Sequence, residues 1–317
     1  MLGLGIEIGG TKLQVGVGAA EGPLLGVARR RVDPARGAEG IREVLPALVE
    51  EARAAAGVRR EDLGAVGAGF GGPVDRRRGI VLCSHQIGGW ENFPLKEWLE
   101  DRFGIPAVVQ NDAKTAAHAE AVRGAGRGRR RIFYVTVGSG IGGGFVVDGR
   151  IDEGQGLGAG EIGHTWVTDP ETGRPEKLEH VASGWSIGRR ASRRLGREVT
   201  AVEVYALAEA GEAAARKVLE EAAGALAAGI ANVVALLHPE RVILGGGVSL
   251  MGPLFWEPLR AELAERAFAP FAKSFDLVPA ALGEEVVVVG AVLLGLEGKQ
   301  AGRSSRHEPP AWNSVAG

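Results

Sequence analysis

The sequence predicts an α/β protein built as two related halves. Three observations predict it. Strand-like runs alternate with helical ones along the chain. A strand, glycine turn and second strand occur twice, about 130 residues apart. Three glycine-rich turns, two of them those of the repeated hairpins, each directly follow a strand-like run. The length of 317 residues suits about two domains, each able to bury its own core. Composition agrees, since 45% hydrophobic and 24% charged residues describe a globular chain and not a disordered one. A net charge of −2 gives no basic footprint and argues against broad nucleic-acid binding. A lone Cys83 excludes a disulfide scaffold and a cysteine zinc cage, and fits a reducing cytoplasm. No stretch reads as a membrane span of about 18 apolar residues, and the N-terminus lacks the basic region of a signal peptide.

The elements follow in order. Leu2 to Ile8 reads as a strand, breaks at Gly9-Gly10 and resumes from Lys12 to Val17. Ile41, Leu45, Leu48, Val49 and Ala52 share one helical face. Leu63 to Ala68 is a strand that ends in Gly69-Phe70-Gly71-Gly72-Pro73. Pro94 to Arg102 is a short helix stopped by Gly104. Ala107 to Val109 is a strand running into Asn111-Asp112, and an alanine-rich helix follows to about Gly124. The opening pattern then recurs, with Ile132 to Val137 a strand, Gly138 to Gly144 a turn and Phe145 to Val147 a strand. A long helix covers about Glu212 to Leu237, and a buried strand, Arg241 to Leu244, enters Gly245-Gly246-Gly247. Val286 to Val289 reads as a strand leading into a last helix from Gly290. The boundary between halves is expected near residues 112 to 120. That gives a smaller domain of 1–115, rejoined by a helix at 290–298, a larger one of 116–289, and a frayed tail of 299–317. A cleft lined by the carboxyl ends of strands is the expected place for a ligand.

Glycine turns let backbone N–H groups converge on phosphate oxygens, because no side chain blocks the approach. Gly9-Gly10-Thr11-Lys12, Gly138-Ser139-Gly140 and Gly245-Gly246-Gly247 are each either such a nest or a plain strand end, and the three together point toward a nucleotide. Two stretches match G-x-G-x-x-G, Gly67 to Gly72 and Gly138 to Gly143, but neither opens a helix, so a dinucleotide site is rejected. Asp112 stands where a strand gives way to a helix, as an N-cap or as a general base. Asn111 beside it offers both donor and acceptor to a hydroxyl-rich ligand. Glu161, His164, Glu179 and His180 are residue types for a metal site, for contacts to sugar hydroxyls, or for a hydrogen-bonded loop. Glu7, in mid-strand, needs a partner, either Lys12 or hydrated magnesium.

These residues together resemble a known family, the sugar kinases of the ROK group (repressors, open reading frames, kinases) in the actin/hexokinase-like superfamily. The likeness is carried by GIEIGGTK (5–12), GPVD (72–75), GGWENFPL (88–95), NDAKTAA (111–117), VGSGIGGG (137–144), GAGEIGH (158–164), LEHVASG (178–184) and HPERVILGGGV (238–248). It implies two ribonuclease-H-like domains around a central cleft, with ATP and Mg2+ as cofactors and a homodimer. By position it implies Asp112 as catalytic base, with Gly72, Asn111, Glu161, His164 and Glu179 contacting sugar. Gly9 to Lys12 and Gly138 to Gly140 match phosphate loops, and Gly245 to Gly247 a segment beside the nucleoside. Three departures stand out. The stretch between His164 and Glu179 lacks the cysteine cluster of zinc-binding members, so no zinc site is expected. Glu7 replaces the usual Asp, so magnesium, held through water, must sit slightly differently. Ser139 replaces a common Thr and keeps its hydroxyl. The implied activity is transfer of phosphate from ATP to a hexose, foremost the 6-OH of glucose. Fructose, mannose or an N-acetylhexosamine are alternative acceptors, and a non-catalytic sugar sensor is the rival. A DNA-binding repressor is disfavoured because the first strand begins near residue 2.

Overall fold

The computed structural model describes residues 1–304, with side chains to 301. The part of the expected frayed tail from 305 to 317 lies outside the described residues. The chain opens with β1 (Leu2–Ile8), β2 (Lys12–Gly18), β3 (Gly26–Arg31), α1 (Gly37–Ala56) and β4 (Leu63–Phe70). A ribbon of β5 (Val74–Asp75) and β6 (Ile80–Val81) follows, then α2 (Leu95–Phe103), β7 (Ala107–Asn111) and α3 (Asp112–Arg123). The second hairpin is β8 (Arg131–Val137) and β9 (Ile141–Val147), continued by β10 (Arg150–Ile151) and a small hairpin of β11 (Trp166–Thr168) and β12 (Pro175–Lys177). Then come α4 (Leu178–Ala182), α5 (Gly184–Leu195), α6 (Ala201–Glu209), α7 (Ala213–Leu237), β13 (Arg241–Gly245), α8 (Pro253–Arg266), β14 (Asp276–Pro279) and α9 (Val286–Ser304). The chain divides into two compact units, Met1–Asp112 with the segment from Val287, and Ala113–Val286.

The first unit is built on a five-stranded sheet in the order β3-β2-β1-β4-β7. β1 pairs antiparallel with β2 and parallel with β4, and β4 pairs parallel with β7. Alternation in β1 and β2 sends Leu4, Ile6, Leu13, Val15 and Val17 into one core with Ile41, Leu45, Leu48 and Ala52 of α1. The other side chains of these strands are mostly glycines, and α9 lies against them. A Cβ on Gly5 would stand 2.3 Å from the Val288 carbonyl oxygen, and one on Gly67 1.8 Å from that of Ala291. This packing explains why Val286 to Val289, expected as a strand, is the first turn of α9. Val288 and Val292, four residues apart on a helix, fill the space left by Gly5 and Gly16, so tertiary contact overrides β-branched propensity. Residues 299–304, placed by the sequence in the tail, continue α9.

The second unit repeats the scheme, with a five-stranded sheet in the order β10-β9-β8-β13-β14. Its β8 again pairs antiparallel with β9 and parallel with β13. The turn expected over Gly138 to Gly144 is shorter, because β9 begins at Ile141 and contains Gly142, Gly143 and Gly144. These glycines sit in a strand because neighbours crowd it. A Cβ would meet that of Ala113 at 2.8 Å from Gly142, the Gly160 oxygen at 2.4 Å from Gly143, and the Cβ of Ala117 at 2.7 Å from Gly144. α7 is, against the reading of the sequence, long and apolar enough to cross a membrane. Two thirds of its most apolar window is buried within the protein, where it supplies Val218, Leu219, Leu226, Ile230 and Val234 to the core.

Candidate active site

The candidate residues fall on both units. Glu7, Gly9 to Lys12, Gly72, Asn111 and Asp112 belong to the first, and Gly138 to Gly140, Glu161, His164, Glu179 and Gly245 to Gly247 to the second.

In the first unit the parallel strands β1, β4 and β7 end at Ile8, Phe70 and Asn111, and the polar residues gather at these carboxyl ends. Gly71 donates its N–H to the Ile8 carbonyl at 2.9 Å. The side-chain amide of Asn111 donates to the Gly72 carbonyl at 3.1 Å and to Asp112 Oδ1 at 3.0 Å. One residue therefore ties Gly72 and Asp112 together. A Cβ on Gly71 would lie in ordinary contact, 3.4 Å, with Asp112 Oδ2, so the glycine leaves this edge of the carboxylate uncovered. Asp112 opens α3, where the helix dipole favours the ionised carboxylate that a general base must present.

The β1–β2 turn is closed by the Gly9 N–H donating to the Lys12 carbonyl at 3.0 Å. Lys12 Nζ lies 3.1 Å from Glu7 Oε2. The Glu7 side chain is only 14% exposed, and burial pushes its carboxyl up from 4.5 to about 7. Lys12 pulls it down, and the Asp112 charge pushes it up again. Gln14, the register partner of Glu7 on β2, is fully buried, with neither amide atom hydrogen-bonded among the described residues. These groups fit a hydrated magnesium ion. Glu7 supplies an anionic oxygen, the neighbouring Asp112 charge favours a cation, and the Gln14 carbonyl can take a bridging water. Such a site keeps most of its water and needs only one or two carboxylates. Among the described residues there is no cluster of three or more His, Cys, Asp or Glu that would hold a metal directly.

In the second unit the Gly138–Gly140 turn is closed by the Gly138 N–H donating to the Gly140 carbonyl at 2.9 Å. The Gly184 N–H, at the start of α5, donates to the Gly138 carbonyl at 2.7 Å. Gly246 has φ +81°, and a Cβ there would stand 2.5 Å from the Val137 carbonyl oxygen, so no other residue fits that bend. Gly138, Ser139 and Gly247 share the wall of one cavity of about 860 Å³ with Gly184, Trp185 and Val202. Such a volume is the size of a small-ligand or cofactor site, which typically spans about 300–1,000 Å³.

Glu161, His164 and Glu179 lie on the loop and short helix that flank β11 and β12. His164 Nε2 is 4.0 Å from Glu179 Oε1, and Glu179 Oε2 would lie 3.3 Å from a Cβ on Gly140, beside the glycine turn. Lys177 Nζ is 3.2 Å from His164 Nδ1. An ammonium can only donate, so Nδ1 accepts and Nε2 carries the proton in the neutral ring. Glu161 Oε1 meets Lys114 Nζ at 2.5 Å. The Lys114 side chain is 1% exposed and runs under Gly158, where a Cβ would stand 2.2 Å from its Cε. Sequence reasoning missed Lys114, Lys177 and Trp185. Lys114 alone left a signal, as a single charge inside the alanine-rich start of α3.

The ROK family model matches residues 3–297. A glucokinase of Thermotoga maritima is 33% identical over 91% of this chain and 95% of its own length. An N-acetylmannosamine kinase of Yersinia pestis is 34% identical over 78% of this chain and 83% of its own. The crystal structure of a ROK family glucokinase from Streptomyces griseus, in complex with glucose and AMPPNP, superposes with a TM-score of 0.81. It is 32% identical, and the match covers 94% of this chain and all of that one. The fold is that of the ROK kinases, actin/hexokinase-like in its two repeated sheets. With a family match over nearly its whole length and a fold shared with a ROK family glucokinase, this chain belongs to the ROK family.

Proposed function

We propose that this protein is a sugar kinase that transfers the γ-phosphoryl group of ATP to a hexose hydroxyl, foremost the 6-OH of glucose. The observation that carries the reading is the Asp112 carboxylate, held by Asn111 at the ends of three parallel strands beside a glycine that leaves it clear. It is supported by glucokinase-named relatives at about one-third identity and by the glucose and AMPPNP bound in the Streptomyces griseus relative.

Phosphoryl transfer asks for alignment and charge stabilisation more than for covalent help. Asp112 accepts the proton of the acceptor hydroxyl as its oxygen bonds to phosphorus. Asn111, Glu161, His164 and Glu179 fix the sugar ring so that one hydroxyl leads. His164, with its proton on Nε2, donates to a sugar oxygen, while Glu161 and Glu179 accept from hydroxyls. The N–H groups of the Gly9–Lys12 and Gly138–Gly140 turns, other than those of Gly9 and Gly138 that close the turns, hold phosphate oxygens, and the cavity beside Gly138 and Gly247 takes the nucleoside. Magnesium, when bound through Glu7 and water, supplies neutralisation of phosphate charge.

The test is ADP release coupled to a reporter enzyme, with ATP and magnesium, over glucose, mannose, fructose, N-acetylglucosamine and N-acetylmannosamine. Sugar-dependent release with glucose as best acceptor is expected. N-acetylmannosamine as best acceptor would move the substrate and leave the reaction class in place. No sugar-dependent release with any acceptor would refute the kinase reading in favour of a sensor.

A further inference from the structure

His164 and Glu179 stand at the two feet of the β11–β12 hairpin. The hairpin is small, with only Trp166↔Lys177, Val167↔Glu176 and Thr168↔Pro175 in register. A two-stranded ribbon of that size is marginal alone. Its turn is instead gripped by charge. Asp169 caps the turn, its Oδ1 accepting the Glu171 N–H at 2.9 Å, and is only 7% exposed. Arg190 of α5, itself 4% exposed, places Nη1 2.9 Å from Asp169 Oδ1 and 3.3 Å from Glu171 Oε2. Glu171 is also held by Arg193 at 2.6 Å and by Arg194 at 2.9 Å, and Arg194 reaches Glu221 of α7 at 2.6 Å. The same helix begins at Gly184, bonded to the Gly138 turn, and lines the large cavity with Gly188 and Ser192. α5 thus carries the nucleotide-side turn at its start and the hairpin's turn along its length.

We propose that Arg190 is a positioning residue for the acceptor sugar: by clamping Asp169 and Glu171 it locks the hairpin, and with it His164 and Glu179 at the hairpin's feet. The clamp does the bracing that a bound metal would do in a loop with cysteines, using only side chains of this chain. Both contacts are made by one nitrogen, Nη1, so what suits a guanidinium to the task is its reach and its permanent charge, and a lysine, whose ammonium sits on a shorter stem, does it less well. The inference rests on the sugar-kinase reading for its effect on turnover, but the locking itself does not.

The experiment compares wild type with R190M, R190K and D169N. For the best sugar of the panel, R190M and D169N raise KM for the sugar at least tenfold, change kcat less than threefold and leave KM for ATP within twofold. R190K falls between them and wild type. A sugar KM within twofold of wild type in a folded variant overturns the proposal, as does an equal rise in both KM values, which would mean that α5 has shifted as a whole. If R190M does not fold, D169N, which keeps the shape of Asp169, decides alone. If wild type phosphorylates no sugar, the kinase reading fails separately. Hydrogen exchange of the amides at 166–177 then decides on the lock, with at least tenfold faster exchange in the variant supporting it and exchange within twofold overturning it.

Discussion

Glu7 sits in the first strand at a cost that can be measured. An ordinary glutamate titrates near 4.5, and burial pushes this one to about 7, with the help of Lys12 already included. At about 1.4 kcal/mol per pH unit, ionised Glu7 makes the folded protein roughly 3 kcal/mol less stable than the same fold with Glu7 protonated. The sign follows from proton counting. Between pH 4.5 and about 7 the native protein binds a proton that the unfolded chain has lost, so this group lowers stability as pH rises through that window and adds no slope outside it. Glu7→Gln keeps the shape of the neutral acid and removes the titration. Urea unfolding of both proteins at pH 5 and pH 8 isolates the term, because the groups that do not interact with Glu7 titrate alike in the two. At pH 8 the Gln variant is expected to be more stable by about 3 kcal/mol, and at pH 5 by less than about 1 kcal/mol. An equal difference at both pH values, or a variant less stable at pH 8, would refute the account of a buried, costly carboxylate. If Glu7 also holds the water shell of magnesium, the stabilised variant is the less active one, and the cost persists because function uses the charge.

Three further outcomes are expected. Asp112→Asn keeps the hydrogen bond from Asn111 but cannot take a proton, so turnover falls by about 10²–10⁴ while sugar binding, read by calorimetry, stays within a few-fold; near-normal turnover would remove Asp112 as base. Glu120 is fully buried and accepts the N–H groups of Ala125, Ala281 and Leu282 at 2.7, 2.9 and 2.9 Å. Glu120→Ala strands all three and should lower the unfolding free energy by at least about 3 kcal/mol, seen as a drop in Tm. Gly67→Ala places a methyl 1.8 Å from the Ala291 carbonyl oxygen, so α9 must move away from the sheet. A loss of about 3 kcal/mol is expected in denaturant, and a loss below about 0.5 would show that α9 yields freely.

The repeated architecture was legible because it rests on short-range signals. Alternation in Leu2–Ile8 and Lys12–Gly18, broken by two glycines, has few other solutions, and its recurrence at Arg131–Val147 gave the second sheet its start. Where the sequence misled, the deciding contact came from far along the chain. Val286 to Val289 has the composition of a strand, yet its partners are glycines of β1 and β2, nearly 300 residues earlier. Gly142 to Gly144 have the composition of a turn, yet they form a strand because Ala113, Ala117 and Gly160 press on them. β3 ends in Arg29, Arg30 and Arg31, which hid it among polar loops, although its pairing with β2 runs over the whole strand.

The chemistry-bearing residues were easier to find than the residues that hold them. Asp112, Glu161, His164 and Glu179 are conspicuous because they stand at a strand end or in the stretches NDAKTAA, GAGEIGH and LEHVASG that carry the family likeness. Their partners are ordinary by type and unusual only in place. Lys114 matters because its ammonium ends a buried stem at Glu161, Lys177 because it fixes which nitrogen of His164 bears the proton, and Arg190 because two carboxylates converge on it from a turn some twenty residues earlier. Nothing in a run such as GWSIGRRASRRL says which arginine is buried. Helical geometry settles it, turning Arg190 inward to Asp169 while Arg193, three residues on, stays half exposed and still reaches Glu171. Burial of Lys114 and of Arg190 strengthens their contacts, while the Lys177–His164 contact is exposed, and burial is the property that a charge pattern along the sequence does not encode.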